Sequence, residues 1–156
     1  IRRQRQMCIR DRSIMRFVLA ERPLDFKPVE FVNPFEKKDY PNFSNVWLTF
    51  NDVPEDLPLP IIQQLIAYSS DYNLLSTAIK PHASKAHFGN TQMASLDHSI
   101  WFHREPNLHD WILVNVESPS ANDTRGFTRG NLFNRSGELI CSVAQEGLIR
   151  PIIKDK

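Results

Sequence analysis

Cysteine is scarce in this sequence, which has only Cys8 and Cys141 among its 156 residues. Two cysteines so far apart have neither the close spacing of a zinc site nor the density of a disulfide-stabilised secreted domain. We therefore expect no metal ion and no cofactor, and we predict a reducing, cytoplasmic environment.

An excess of charge of one sign is also missing, because 19 Lys and Arg residues balance 18 Asp and Glu residues. Without a basic field, we expect neither nucleic acid nor an anionic membrane as a partner. No stretch approaches the roughly 18 consecutive apolar residues of a membrane-spanning helix, and the N-terminal region lacks the apolar segment of a signal peptide. What the sequence does contain is 41% hydrophobic residues, enough for the core of one domain of this length.

The first twelve residues, IRRQRQMCIRDR, contain five arginines and no periodic pattern. They resemble translated adapter sequence at the end of a gene model, so we exclude residues 1–12 from the fold as a non-native tail. Residues 13–156 are predicted to form one domain. Because position 1 is not Met, we expect the chain to be the C-terminal part of a longer protein.

Residues 59–78 form the only segment with a sustained helical repeat. Its apolar and aromatic side chains recur every three to four residues: Ile61, Leu65, Tyr68, Tyr72 and Leu75, with Ile62 and Ile66 widening the stripe. This pattern predicts one long helix with a broad buried face. Asp56 is the predicted N-cap, and Pro81 marks the end of the helix.

Strand patterns lie on both sides of this helix. Alternating or apolar runs predict strands at residues 29–33, 43–50, 93–103, 110–118, 126–133 and 138–149, and NRSG at 134–137 predicts a hairpin turn. One long helix and a single antiparallel sheet of about six strands indicate the α+β class, in which the sheet wraps around the helix.

Two polar residues occupy positions where these patterns predict apolar ones. Asp71 lies at the edge of the helical stripe, and Gln145 shares one side of the last strand with Cys141 and Val143. Asp71 could be a hydrated charge at the rim, and Gln145 a structural amide satisfied by the backbone. Alternatively both could belong to a catalytic site, because a carboxylate beside apolar groups needs partners and such positions tend to hold catalytic bases.

The segment MASLDHSIWFHR contains further polar candidates, namely Ser95, Asp97, His98 and His103. Their spacing matches no closed metal site, and hydrogen-bonded strand residues are the alternative for both histidines. No GxSxG sequence surrounds Ser95, which argues against a serine nucleophile but leaves a hydroxyl that binds water. Strict alternation places Ser95 on the side opposite Ile100, so a bulge or irregular backbone would be needed to direct it inward.

From Glu21 onward, the chain resembles the C-terminal half of the acyl-CoA thioesterase II family, which has a double hotdog fold. The resemblance rests on the runs RPLDFKPVE, SDYNLL, SLDHSIWFH, VESPSA, RGFTRG and AQEGLIR. It implies a hotdog fold with a long central helix and hydrolysis of fatty acyl-CoA to fatty acid and CoA. The catalytic residues implied by the motifs are Asp71, Ser95 and Gln145, which would activate a water. The first hotdog of the family is missing, so we expect a homo-oligomer formed by hotdog pairing.

Arg104, Arg125 and Arg129 are candidates for contacts with the CoA phosphates, with solvated charge as the alternative for each. Two other functions stay open. One is a non-catalytic half that binds acyl-CoA or acts as a scaffold. The other is an acyl-CoA hydratase-type hotdog enzyme, which would present an Asp and a His together, although the adjacent Asp97 and His98 would point to opposite faces of a strand.

Overall fold

The computed structural model describes residues 23–30, 32, 38–87 and 89–152. In this part of the chain, one sheet of seven strands packs against two α-helical segments. The strands are β1 (Leu24–Pro28), β2 (Phe43–Phe50), β3 (Thr91–Ser95), β4 (Ser99–Phe102), β5 (Ile112–Asn122), β6 (Arg125–Phe133) and β7 (Leu139–Pro151). The helices are α1 (Leu59–Ser70) and α2 (Leu74–Ile79), followed by a single 3-10 turn, Lys80–His82.

The strands lie in the order β1-β2-β5-β6-β7, and both β3 and β4 pair with the remaining side of β7. Every pairing is antiparallel. Helix α2 contacts β5 and β6, and α1 contributes Ile66 to a core shared with Leu48, Ile112 and Val143 of the sheet. The predicted α+β class is therefore confirmed. The strand count rises to seven because the strand predicted at 93–103 is divided in two.

The helix predicted at 59–78 is interrupted in its second half. Asp71 is the C-cap of α1, and Asn73 has a left-handed backbone with a φ of 71° before α2 begins. Asparagine is one of the few residues that adopt this conformation readily. The Asn73 carbonyl accepts hydrogen bonds from Ser76 Oγ at 3.0 Å and Thr77 Oγ1 at 2.6 Å, which fixes the start of α2. The apolar repeat continues through the break and therefore did not reveal it.

The predicted N-cap of this helix, Asp56, is wrong. Pro58 occupies the N-cap position with an extended backbone, and Pro60 lies in the first turn. Proline is tolerated there because the first N–H groups of a helix have no partner within it. The N–H groups of Ile61 and Ile62 both donate to the Pro58 carbonyl, so the helix begins without a side-chain cap.

The buried face of the helices also differs from the prediction. Tyr68 is 55% exposed, and Ile61 and Tyr72 are each 40% exposed, whereas Ile66 is completely buried. The face against the sheet carries mainly small residues, among them Ser69, Ser70, Thr77 and Ala78. Both serine hydroxyls can be buried because they donate to carbonyls of their own helix. The apolar repeat therefore predicted a buried face that wrongly included the two tyrosines.

Strand β2 begins and ends as predicted, with Val46, Leu48 and Phe50 buried on one face. The strand predicted at 29–33 is wrong, because the first strand lies just before it and pairs with β2 from Leu24 to Pro28. Val29 is 55% exposed, and residues 31 and 33 lie outside the described part of the chain. A proline is acceptable at the end of an edge strand, where its missing N–H breaks no internal ladder.

Helix α2 lies directly on the sheet at Gly147 of β7. A Cβ atom at this glycine would lie 2.1 Å from Leu75 Cδ2, closer than any real contact. A Cβ atom at Gly126, the residue paired with it on β6, would lie 2.5 Å from Ile149 Cδ1 and 2.8 Å from Ala78 Cβ. The two glycines therefore let the helix approach the strand that carries Gln145.

Candidate active site

Gln145 lies on the inner face of β7 and is 1% exposed. Its neighbours on that face, Val143 and Gly147, are buried as well. Both ends of its amide have partners: Nε2 donates to Ser95 Oγ at 2.7 Å, and Oε1 lies 2.6 Å from Nδ1 of His98. A buried amide needs such partners at both ends, because an unpaired donor or acceptor is destabilising.

Ser95 connects this buried amide to Asp71. Its hydroxyl donates to Asp71 Oδ1 at 3.3 Å. Asp71 is exposed, and it occupies the position where α1 ends. The structure thus joins Asp71, Ser95 and Gln145 in one chain of hydrogen bonds, although they come from three separate elements.

A bulge between β3 and β4 directs Ser95 inward. Ser95 pairs with Gly147 and Ser99 pairs with Ala144, so four steps on one strand oppose three steps on β7. Side chains of a strand point alternately to the two faces of the sheet, and the extra residue reverses which positions point inward after the bulge. The odd-numbered residue Ser95 and the even-numbered residue His98 consequently face the same side. The irregular backbone that an inward-facing Ser95 requires is therefore present in this segment.

Asp97 holds the bulge in place. The N–H groups of Leu96 and Asp97 both donate to the carbonyl of Glu146, at 3.0 and 3.4 Å. The Asp97 carboxylate in turn accepts the Glu146 N–H at 2.7 Å. Sequence patterns alone gave Asp97 no role, because the bonds that define it run to a strand about fifty residues away.

His98 is the second residue that the sequence did not assign to the site. It is half-buried, and its Nε2 lies 2.9 Å from Ser70 Oγ on α1. Ile100 and Phe102, which alternate with His98 along the strand, both pack against the core. No sequence pattern indicated a role for Ser70, because a serine in a helix can lie on the buried face or on the exposed face.

The three predicted CoA-binding arginines do not join this group. Arg125 and Arg129 alternate with buried residues of β6 and lie on the outer face of the sheet, opposite Gln145. Arg125 forms an ion pair with Glu146 at 2.6 Å, and Arg129 forms one with Glu117. Arg104 donates to the Leu139 carbonyl at 2.8 Å, at the start of β7. A CoA-binding role for any of them stays a prediction.

A cleft of about 620 Å³ opens beside Asp71 and Ser95. Its other lining residues are Tyr68, Tyr72, Leu96, Asp97 and His98. The two tyrosine hydroxyls lie 2.8 Å apart and hold the rings together on one wall. The cleft therefore offers an apolar surface for a ligand next to a carboxylate and a hydroxyl.

Within residues 23–30, 32, 38–87 and 89–152, no three His, Cys, Asp or Glu side chains group as a metal site. Over the same described ranges, the structure has no helix with the length and hydrophobicity needed to cross a membrane.

Comparisons with known proteins identify the family of this chain. The family model for acyl-CoA thioesterase matches residues 15–148. Acyl-CoA thioesterase 2 of Haemophilus influenzae is 38% identical over 132 residues, which is 84% of this chain and 46% of the relative. The crystal structure of an acyl-CoA thioesterase II from Mycobacterium marinum is similar, with a TM-score of 0.69 and 33% identity over 83% of this chain and 49% of that one.

A structure from Alicyclobacillus acidocaldarius described as a hotdog fold aligns with a TM-score of 0.62 over 84% of this chain and 47% of that one. At 10% identity this likeness concerns the fold alone, and it confirms the expected hotdog arrangement. The chain spans about half the length of the two thioesterases described above. Because the family model matches most of its residues, the chain belongs to the acyl-CoA thioesterase family.

Proposed function

We propose that this chain carries a hydrolytic site that cleaves fatty acyl-CoA thioesters to a free fatty acid and CoA. The observation that carries the proposal is the hydrogen-bonded group of Asp71, Ser95 and Gln145, of which Asp71 and Ser95 line the cleft. The substrate class is supported by the thioesterase relatives, whose names specify acyl-CoA. The process it serves would be fatty acid metabolism.

In the proposed reaction, a water is the nucleophile. Asp71 accepts one proton from this water as its oxygen attacks the thioester carbonyl carbon, so that a C–O bond forms. The tetrahedral intermediate then collapses, the C–S bond breaks, and the leaving thiolate of CoA takes up the proton. No acyl-enzyme is formed, because none of the three side chains bonds to the acyl group.

Each of the three side chains has one task in this scheme. Asp71 is exposed at the cleft, so its second carboxylate oxygen is accessible to a water. The amide of Gln145 donates one hydrogen to Ser95, and its second hydrogen would bind the oxygen of the water. Ser95 lies between them and would orient the same water.

The hydratase alternative is not favoured by the geometry. Asp97 and His98 both line the cleft, but the Asp97 carboxylate accepts the Glu146 N–H and the His98 ring is bonded to Gln145 and Ser70, so both side chains already have partners within the protein. The non-catalytic alternative gives no reason for a buried amide linked to an exposed carboxylate. An activity assay separates these possibilities from the proposed function.

We further propose that residues 13–156 form one hotdog domain that pairs with a second hotdog, either a preceding half of a longer chain or another copy. The strands β3 and β4 support this, because in the described sheet they lie at its edge and pair only with β7. Residues 1–12 are proposed to be a tail outside the domain. The low cysteine content supports a cytoplasmic location.

The test of the catalytic proposal is thiol release from a fatty acyl-CoA by the parent chain and by Asp71→Asn. This isosteric change removes the base, so we expect kcat to fall on the order of 100-fold or more. Ser95→Ala should lose less, because it orients the water without accepting its proton. Asp123→Asn is the matched control, since Asp123 is an exposed aspartate in the β5–β6 turn, away from the cleft. An Asp71→Asn chain as active as the parent would rule out this mechanism.

A further inference from the structure

A second set of hydrogen bonds continues from the proposed site into the protein. Starting at helix α1, Ser70 Oγ lies 2.9 Å from His98 Nε2, and His98 Nδ1 lies 2.6 Å from Gln145 Oε1. Ser70 is fully buried and Gln145 is 1% exposed. In the proposed reaction the water contacts the Gln145 amide but neither Ser70 nor His98. The Ser70–His98 pair is therefore available for holding that amide in position.

The direction of every bond follows from the Asp71 carboxylate, which in its ionised form only accepts. Ser95 has one hydrogen and gives it to Asp71, so Ser95 can only accept from Gln145. The NH2 end of the Gln145 amide must then face Ser95, and its carbonyl oxygen must face His98. Nδ1 of His98 must carry a hydrogen to satisfy that oxygen.

Nε2, the other ring nitrogen of His98, can form a hydrogen bond with Ser70 Oγ whether it accepts or donates. Ser70 Oγ lies 2.8 Å from the Ala67 carbonyl as well as near Nε2. Its hydroxyl can donate to Nε2 when the ring is neutral, or accept from Nε2 and donate to Ala67 when the ring is protonated. In both states Nδ1 keeps its hydrogen and the Gln145 amide keeps its orientation.

We propose that His98 is a positioning residue that fixes the orientation of the Gln145 amide, so that its NH2 group faces Ser95 and the water. The inference rests on the proposed hydrolytic function. A glutamine amide can flip by 180°, and without a donor at Oε1 the two orientations differ little in shape. The flipped amide would present an oxygen to Ser95, which has no second hydrogen to give, and the water would lose its donor.

Two nearly isosteric variants separate hydrogen bonding from packing. In His98→Asn, the side-chain NH2 can occupy the place of Nδ1 and still donate to Gln145. In His98→Leu, a side chain of similar size has no donor. We expect His98→Leu to lower kcat by roughly 10- to 100-fold, the scale of a misplaced catalytic group, with KM nearly unchanged. We expect His98→Asn to keep a kcat close to that of the parent.

His103→Leu is the matched control. His103 follows the same strand segment and also bonds to β7, through Ser142 Oγ at 3.1 Å, but it is exposed on the outer face. Its loss should leave kcat and KM at the values of the parent chain.

A direct readout does not depend on activity. In the ¹⁵N NMR spectrum of the parent, Nδ1 of His98 should be protonated, with a downfield proton shift typical of a short hydrogen bond. A bare Nδ1 would overturn the inference.

The kinetic outcomes separate this inference from the proposed function. If Asp71→Asn is inactive while His98→Leu keeps the parent kcat, His98 does not position the site, but the proposed function stands. If His98→Asn and His98→Leu lose activity equally, packing rather than a donor is what matters, and the inference is wrong. If Asp71→Asn retains the parent activity, the hydrolytic mechanism fails, and the NMR result alone decides the orientation of the amide.

Discussion

At the scale of single residues, the site separates charge from burial. Asp71, the charged member, is exposed to water, and Gln145, the buried member, is neutral with both ends bonded. An unpaired buried amide group would destabilise the fold by about 1–3 kcal/mol, so the bonds to Ser95 and His98 matter for stability as well as for chemistry. The sequence left two alternatives for Asp71, a rim charge or part of a site, and the geometry is compatible with both.

Cys141 gives a prediction about pH at this scale. It is 0% exposed, and burial raises the pKa of its thiol from 9.0 to about 12. Between these values the folded state binds the proton and the unfolded state releases it, so the free energy of unfolding should decrease as pH rises above about 9. Denaturant unfolding at pH 8 and pH 10 measures this decrease.

Cys141→Ala is the control, because it should remove that part of the decrease. Burial lowers the pKa of Lys80, which acts in the opposite direction, since its unfolded form binds the proton more readily there. The difference between parent and variant isolates the contribution of the thiol. If the two chains lost stability equally between pH 8 and pH 10, burial of Cys141 would not be the cause.

At the scale of elements, most strands and the outer ends of the helical segment were predictable, but the first strand and the interruption of the helix were not. Strand β2 alternates cleanly between buried and half-exposed residues, and so does most of β7. Period-two alternation is a local property that the sequence displays directly. The break at Asn73 and the burial of Ser70 depend on what packs against the helix, which no local pattern contains.

Sequence patterns alone likewise predicted only part of the candidate site. Asp71 and Gln145 were detectable as polar residues in apolar patterns, whereas Ser95 was identified only through the resemblance to a family. The contact between His98 and Gln145 depends on the register of β4 against β7 and on the bulge before it. Registers between distant strands are set by the whole sheet, so the sequence alone could not show that His98 contacts Gln145.

Gly147 gives the prediction for elements. In Gly147→Ala, the new Cβ would collide with Leu75, and overpacking of this kind typically destabilises by about 1–3 kcal/mol. Because Gly147 pairs with Ser95, the displacement should also lower kcat. Adding Leu75→Ala removes the colliding side chain, so the double variant should lose less stability than the two single changes added together. If the losses of unfolding free energy measured for the two single variants simply added in the double variant, Leu75 of α2 would not collide with a Cβ atom at position 147.

At the scale of the whole molecule, the described surface has an uncovered region beside the site. Ile61, Tyr68, Tyr72 and Leu96 are each 40% to 55% exposed. Ile61 and Tyr68 lie on α1, Tyr72 lies two residues after its end, and Leu96 lies in the bulge at the sheet edge. Tyr68, Tyr72 and Leu96 line the same cleft. A monomer rarely leaves a continuous apolar patch and an open edge together without a partner. The matched relatives, which are about twice as long, have the length to supply such a partner within one chain.

We therefore expect the purified chain to self-associate through this region or to be poorly soluble, with weak activity as a monomer. A symmetric pair would cover the patch and complete the wall of the cleft. Light scattering across a range of concentrations measures the association. Ile61→Glu should shift the equilibrium towards monomer, whereas Val29→Glu, at a 55% exposed position beside β1 on the opposite edge of the sheet, should not. A well-behaved monomer with full thioesterase activity at micromolar concentration would show that one hotdog suffices and that the exposed patch needs no partner.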